Sequence, residues 1–514
     1  MALAFGASSG LGVQAGIVTA VVAGVVAAVF GGSNLQVSGP TGAMTVVLIP
    51  VVHEHGREGV LMVGMLAGVV LVAMAFLRVG GYVRFLPVPV IEGFTAGIAV
   101  VIALQQVPYA LGAPTGDHER VWALALDSVR SWIDTPLVAP LLMSLSVASV
   151  LVVGMHRWPR IPLALAAVAL ATVVAEVWSL QVDRIGALPA GLPAPSLGFV
   201  SFGGLGQLVA PALAVAALAA LEGLLCATVA DGMTAGERHD PDRELFGQGL
   251  ANLAVPLFGG VPATAAIART AVNVRAGARS KSAAVTHALV LLAAVSLLAP
   301  LVGRIPLAAL AGVLLATAVH MVELSSLLAL TRGTRGDGVV LVLTFLVTVA
   351  LDLVTAVAVG VAVAIVLALR EVARTAKVEE VVPLRGDTSE AEHALLSKHV
   401  AVYRFDGPLF FAAAQRFLPQ LADETDSRVV VLRLSHVTTL DATGAHALAE
   451  VVRGLERRGK TVMISGIAPG HDEILERLGV LAHLRADRRI HQHTSSAIAR
   501  ALELVNETGT TESG

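Results

Sequence analysis

Two residues carry charge where charge is expensive. Glu222 stands inside Gln207 to Ala230, a run with no other charged side chain. A carboxyl at that depth in hydrocarbon costs a few kcal/mol unless it is paired or protonated, so an intramembrane acid points to coupling or to ligand binding. The plainer role for Glu222 is to neutralise Arg269, and the two roles are compatible. Arg269 stands in the short apolar stretch Ala265 to Val274, near its start. There a guanidinium adds to the positive end of a helix dipole and compensates an anion stripped of its water. Thr41, followed by Gly42 and Ala43, offers a hydroxyl beside two main-chain N–H groups, and Ala266 and Ile267 offer main-chain N–H groups alone. Small residues at both places let an oxyanion approach the backbone closely. The chemistry on offer is anion binding with a titratable partner. His53 and His55 flank Glu54 without a third nitrogen or sulfur ligand nearby, and they read as a solvated loop rather than a zinc site. No nucleophile elbow, phosphate loop or zinc helix is present, so no enzyme chemistry and no cofactor is expected.

These residues lie on two unusual elements. Gly31-Gly32-Ser33 ends one long apolar run, and Ser38-Gly39-Pro40-Thr41-Gly42 opens the shorter stretch Ala43 to Val52. Far downstream, Phe258-Gly259-Gly260-Val261-Pro262-Ala263-Thr264 opens the equally short Ala265 to Val274. Paired, Gly/Pro-interrupted short helices in two halves of a chain mark a binding site between repeats, because each presents unpaired N–H groups at mid-membrane. Such helix starts attract anions.

The rest of the chain supports a membrane setting. Hydrophobic residues make up 55% and charged residues 14% of 514, against roughly 25% charged in soluble domains. Leu11 to Phe30, Val60 to Phe76 and Ala283 to Val302 are nearly uncharged and about the roughly 20 residues that cross a bilayer. Net charge −3 excludes a nucleic-acid partner as an expectation, and the single cysteine, Cys226, excludes an internal disulfide. About fourteen segments satisfy the positive-inside rule. Arg78, Arg84, Arg157, Arg160, Arg238, Arg243, Arg275, Arg279, Lys281, Arg332 and Arg335 then lie inside, and the sparser Arg57, Arg120, Arg130, Arg184 and Arg304 outside. The C-terminus falls in the cytoplasm on this assignment. Composition changes near Arg370, and the pattern beyond it is α/β. Val400 to Phe405, Val429 to Leu434 and Thr461 to Ser465 read as strands, with helices from about Gly444 to Arg458 and from Asp472 to Leu478.

Several motifs are familiar. Ala4-Phe5-Gly6 with Ser8-Ser9-Gly10-Leu11-Gly12, then Gln36-Val37-Ser38-Gly39-Pro40-Thr41-Gly42-Ala43-Met44, resemble the first and third spans of the SulP (sulfate permease) anion transporters. Glu222 to Ala227, Val229 to Thr234, Gly247-Gln248-Gly249-Leu250-Ala251-Asn252 and Ala268 to Asn273 resemble that family's eighth to tenth spans. The C-terminal part resembles its STAS domain. The resemblance implies an α-helical polytopic membrane protein of about fourteen segments in two inverted seven-segment repeats. A core domain would move, elevator-like, against a gate domain. The substrate would sit between the third and tenth half-helices, with Phe5 as the aromatic that lines the pocket. The domains expected are a transport domain at 1–372, a linker at 373–394, a cytoplasmic STAS domain at 395–505 and a disordered tail at 506–514. The family's first span would be about half missing before Ala4. Asp441-Ala442-Thr443-Gly444 resembles the phosphorylatable turn of regulatory STAS proteins, with Thr443 at the acceptor position, although a plain helix cap explains the same residues.

Where sodium-coupled members of the family have Asp, Thr and Thr, this chain has Glu222, Cys226 and Ile267. A hard cation wants several oxygens and a thiol is a poor substitute, so a proton is the expected coupling ion. The leading expectation is a proton-linked secondary transporter of a small oxyanion, sulfate first, working as a homodimer in the plasma (inner) membrane. Bicarbonate or a C4-dicarboxylate is the alternative substrate. An anion channel of the same fold and a membrane-anchored STAS signalling protein are the alternative classes.

Overall fold

The computed structural model describes all residues except 115–119, 158–162, 189–190, 202, 235–237, 352, 376, 381–398, 410–426, 480 and 510–514. It divides into two compact units, Met1–Ala364 and Ile365–Gly514.

The first unit begins with α1 (Ala2–Ser8), α2 (Val13–Phe30), strand β1 (Ser38–Gly39) and α3 (Gly42–Phe76). Then come α4 (Val88–Leu111), α5 (Val121–Asp134), α6 (Val138–Arg157) and α7 (Leu163–Val177). The second half continues with α8 (Leu205–Gly232), α9 (Pro241–Leu257), strand β2 (Thr264–Ala265), α10 (Ile267–Arg275) and α11 (Lys281–Val302). It ends with α12 (Leu307–Met321), α13 (Leu324–Gly333), α14 (Arg335–Ala350) and the start of α15 (Leu353–Thr375), which runs past the division at Ala364. Within α3, Gly56 adopts φ 63 and ψ −163, a conformation only glycine takes without strain, and breaks the helix into a short and a long piece. His53 and His55, expected in a loop, are therefore helical and end the short piece. Their spacing hides this, because Gly56 alone makes the break.

The order of elements recurs. Each half holds a two-residue strand, a short helix after it, and an amphipathic helix (α5, α13) before its last two helices. Among the described residues seven helical runs are long and apolar enough to cross a bilayer, one of them, Leu307–Gly333, made of α12 and α13 together. The helices pack as two groups. α1, α2, α3, α8, α9, α10 and α11 form one, with α3 against α8 and α9, and α2 against α9 and α11. α4, α12 and α14 knit the other together with α5, α6, α7 and α13. Glycines set the close approaches. A Cβ at Gly68 of α3 would meet Gly249 O at 2.9 Å, and one at Gly249 would meet Gly68 O at 3.0 Å. Backbones touching in this way gain dispersion contact that lipid cannot supply.

The second unit is a five-stranded sheet of order β3-β4-β5-β6-β7. Its strands are β3 (Lys377–Glu380), β4 (Val400–Leu409), β5 (Val429–Leu440), β6 (Thr461–Ser465) and β7 (Ile490–His491). All pairs are parallel except β3 with β4. The period of two sorts the side chains to opposite faces. Ala401, Tyr403, Val430 and Leu432 pack with Leu448, Val452 and Leu455 of α16 (Ala442–Arg457) and with Leu475 of α17 (Pro469–Arg477). Leu484 of the short α18 (Ala482–Ala486) joins this layer. Val402, Val431 and Met463 face Ala497, Ala501 and Val505 of α19 (Thr494–Gly509) on the other side. Each such buried Val or Leu contributes about 1.5–3 kcal/mol.

Two expected boundaries shift. α15 runs to Thr375 and β3 occupies part of the stretch read as linker, whose remainder from 381 lies outside the described residues. α19 continues to Gly509 because Val505 is the third residue of its buried stripe, so residues 506–509 are helical rather than tail, and 510–514 lie outside the described residues.

Candidate functional site

The two short helices meet start to start. β1 and β2, which lead into them, pair antiparallel with Ser38 opposite Ala265 and Gly39 opposite Thr264. The segment 31–39 is gripped from four helices. Glu244 Oε2 accepts from Gly32 N at 2.9 Å and Ser33 N at 3.1 Å. Gln36 Nε2 donates to Gly223 O at 2.7 Å, Asn273 Nδ2 to Leu35 O at 2.8 Å, and Val37 N to Thr270 Oγ1 at 3.1 Å. From α11, Lys281 Nζ reaches Gly31 O at 2.5 Å. On the other strand, Asn252 donates to Ala263 O and accepts from Ala263 N, both at 2.8 Å. Buried backbone without such partners would cost about 1–3 kcal/mol per group. Irregular chain survives at this depth because protein side chains satisfy it.

Thr41 is the N-cap of α3. Its hydroxyl oxygen accepts from Met44 N at 3.4 Å and donates to Glu222 Oε2 at 2.9 Å. Gly42 N and Ala43 N, in the first turn, have no intrahelical carbonyl to bond. Phe5 is buried, and a Cβ at Gly42 would lie 3.1 Å from its ring and closer still to Ile102 of α4. The first-span aromatic therefore lies over the start of α3 rather than facing outward.

α10 starts without a side-chain cap. Ala266 N, expected to be open to a ligand, instead donates to Val37 O at 3.2 Å, because the strand pairing extends one residue further. The open donors at this end are the N–H groups of Ile267, Ala268 and Arg269, and the Ile267 side chain is 43% exposed. Arg269 turns back across the β1–α3 turn, and its Nη2 donates to Pro40 O at 2.7 Å. A Cβ at Gly39 would sit 2.5 Å from Nη1, so glycine makes room for the guanidinium. Arg269 Nε is buried with no partner. Among the described residues no ion pair within 4 Å joins Arg269 to Glu222, whose carboxylate is held by Thr41 instead. Behind them Cys226 Sγ donates to Thr270 Oγ1 at 3.1 Å.

A cleft of about 420 Å³ begins one turn beyond Gly42, between the two helix groups, and is lined by Val46, Ile49, Val101, Ala210, Ala214 and Thr348. Its described lining is mostly apolar, with Arg120 as the charged residue. In the second unit, Thr443 is exposed in the first turn of α16, and the capping is done by Asp441, whose Oδ1 accepts from Gly444 N at 2.7 Å.

Sequence reasoning missed Glu244 and Gln105. Glu244 follows Asp240-Pro241 and looks like any acid in a first helical turn, yet it is buried and holds the loop before β1. Gln105 carries no motif at all, and only packing shows it beside Thr45 of α3, whose Oγ1 lies 3.4 Å from its Oε1.

A membrane-embedded helical bundle with two opposed helix starts and a partly unpaired arginine between them defines an anion transporter. The chain belongs to the sulfate permease family: the family's pattern matches residues 1–344, and a STAS domain matches residues 394–497. YvdB of Bacillus subtilis (strain 168), which carries a provisional sulfate-transporter name, is 33% identical over 93% of this chain and 91% of its own. The bicarbonate transporter BicA of Picosynechococcus is 31% identical over 95% and 89%. In fold, the chain matches the murine Slc26a9 anion transporter in its inward-facing state with a TM-score of 0.82, at 18% identity over 97% and 88%.

Proposed function

We propose that this chain is a secondary active transporter that carries sulfate together with a proton. The observation that supports it most is the arrangement of charge. Arg269 lies among open N–H groups with its Nε unpartnered, while Glu222 is held by Thr41 just beyond it. An anion entering between α3 and α10 meets Gly42, Ala43 and Ile267 N–H groups, the Arg269 guanidinium and the edge of Phe5. Glu222 supplies the proton site. Cys226 is bonded to Thr270 and Ile267 brings no oxygen, which disfavours sodium as the coupling ion.

The recurrence of elements in the two halves supports an inverted repeat, and the division into two helix groups supports an elevator-like movement of one past the other. The arginine-rich loops favour an inner-membrane orientation with the STAS domain in the cytoplasm, and the protein works as a homodimer. Bicarbonate is the second reading, favoured by the likeness to BicA. Uptake of labelled sulfate, bicarbonate and fumarate into proteoliposomes tests these readings. Saturable sulfate uptake with counter-flow is expected. Flux that neither saturates nor shows counter-flow would make it a channel, and no flux for any anion would leave a signalling protein.

A further inference from the structure

Transport of the kind proposed above needs the two helix groups to slide, and three polar contacts between them share one helix face. Three side-chain hydrogen bonds that join one group to the other lie on one face of α4. Gln105 meets Thr45 Oγ1 of α3 at 3.4 Å, Gln106 Nε2 donates to Ser8 Oγ of α1 at 3.2 Å, and Tyr109 Oη donates to Ala7 O at 3.4 Å. Positions 105, 106 and 109 lie on one side of a helix, as does Ile102, whose side chain presses on Gly42. This face therefore covers the start of α3 and the end of α1 together, the two elements that carry Thr41, Gly42 and Phe5.

The contacts are long. Within the first group, bonds of the same kinds measure 2.7 Å for Gln248 to Ser38, 2.8 Å for Asn252 to Ala263 and 2.7 Å for Arg269 to Pro40. Thr45 also gives its hydroxyl to Gly42 O at 2.6 Å, which leaves little for Gln105. The Gln105 Nε2 is buried with no partner at all. Both glutamine side chains are buried. Polar groups placed so that they are met, but poorly, fix a register without locking it.

We infer that Gln105, Gln106 and Tyr109 form a register latch: they are positioning residues that hold the first helix group in the position seen here and act on its movement, not on anion binding. The inference rests on the transporter reading. An apolar face would let the groups slide with no preferred stop, and a face with short, complete bonds would hold them too firmly to turn over. The half-met bonds lie between these limits.

Two measurements test it. In proteoliposomes, Gln106→Leu and Tyr109→Phe are expected to change the maximal sulfate exchange rate at least threefold while leaving KM within twofold, and Gln106→Asn to restore part of the change. A shifted KM with an unchanged maximal rate would mean that α4 touches the anion, and no change in either would mean that the contacts are incidental. Both results overturn the inference. In the second measurement, cysteines at Ser8 and Gln106 in a Cys226→Ser background are bridged by a short, reducible bis-methanethiosulfonate. The bridged protein should bind labelled sulfate at equilibrium as before but lose counter-flow, and reduction should restore it. Normal counter-flow in the bridged protein, loss of binding, or failure to bridge would each overturn the latch while wild-type flux keeps the transporter reading intact. Absence of saturable flux in the wild type would remove that reading itself.

Discussion

The Thr41 hydroxyl oxygen is shared between Met44 N, at 3.4 Å, and Glu222 Oε2, at 2.9 Å. One atom therefore both caps the first short helix and holds the carboxyl of α8. Thr41→Ser keeps both bonds and is expected to transport normally. Thr41→Val keeps the shape and loses both, and should raise KM for sulfate about fivefold, in line with ~1 kcal/mol for a lost cap. An unchanged KM in the valine variant would show that the cap does not shape the anion site.

In the proposed site, Arg269 is the positive charge that would meet the anion. Arg269→Ala should weaken sulfate binding at every pH, because a charge in a partly dehydrated site acts several-fold more strongly than in water. Arg269→Lys should keep part of the affinity, since the charge stays but the bond from Nη2 to Pro40 O loses its planar fork. Equilibrium binding of labelled sulfate to the purified protein checks both, and wild-type affinity in the alanine variant would sink the role.

Gly42 leaves no space for a side chain. A Cβ there would overlap Ile102 and approach the Phe5 ring to 3.1 Å. Gly42→Ala is expected to reduce sulfate uptake at least tenfold at normal expression. The end of the Ile102 side chain is the nearer obstacle, so Gly42→Ala with Ile102→Val should recover a measurable part. If the double variant transports no better than the single one, the loss comes from the backbone and not from crowding.

Much of this architecture was legible in the chain. The uncharged runs, the two Gly/Pro breaks and the isolated Glu222 and Arg269 each mark themselves, because lipid penalises charge and broken backbone. What could not be read was which distant residues answer each other. Gln36 bonds Gly223, Thr19 bonds Val261, and Thr270 receives Val37 N, and each pair is separated by more than 180 residues. Ala266 shows the same limit at one atom: its N–H is spent on Val37, a pairing visible only once β1 and β2 meet. In the second unit the alternating runs gave β4 to β6, whereas the two-residue β7 has too few residues to alternate.

Thr443 is exposed and does not cap α16, a role that Asp441 fills. Thr443→Ala and Thr443→Glu should therefore leave basal sulfate transport within a few-fold of wild type. Asp441→Ala, by contrast, removes the α16 cap and should lower the stability of this domain by about 1 kcal/mol, read in the full-length protein as a lower unfolding midpoint of the domain. Abolished flux in Thr443→Glu at normal expression would instead establish a phosphate-operated switch.

The proposed coupling to a proton can be tested from the charges at the cradle. With Glu222 ionised, its negative charge and the positive charge of Arg269 sum to zero, and a sulfate dianion would enter a weakly screened site against that carboxylate. On the proposed reading, protonating Glu222 would leave Arg269 free to compensate the anion, and the anion would in turn compensate Arg269, so that proton and sulfate would favour each other's binding. Uptake should rise as external pH falls. It should be the same when choline replaces sodium, because Cys226 is engaged with Thr270 and Ile267 offers no oxygen ligand. Glu222→Gln, which stays neutral and can still accept from Thr41, should bind sulfate yet lose both the pH dependence and the ability to accumulate it against a gradient. Uptake into proteoliposomes under an imposed pH gradient measures all three. A strict sodium requirement, or a glutamine variant that still concentrates sulfate on a proton gradient, would remove Glu222 from the coupling step.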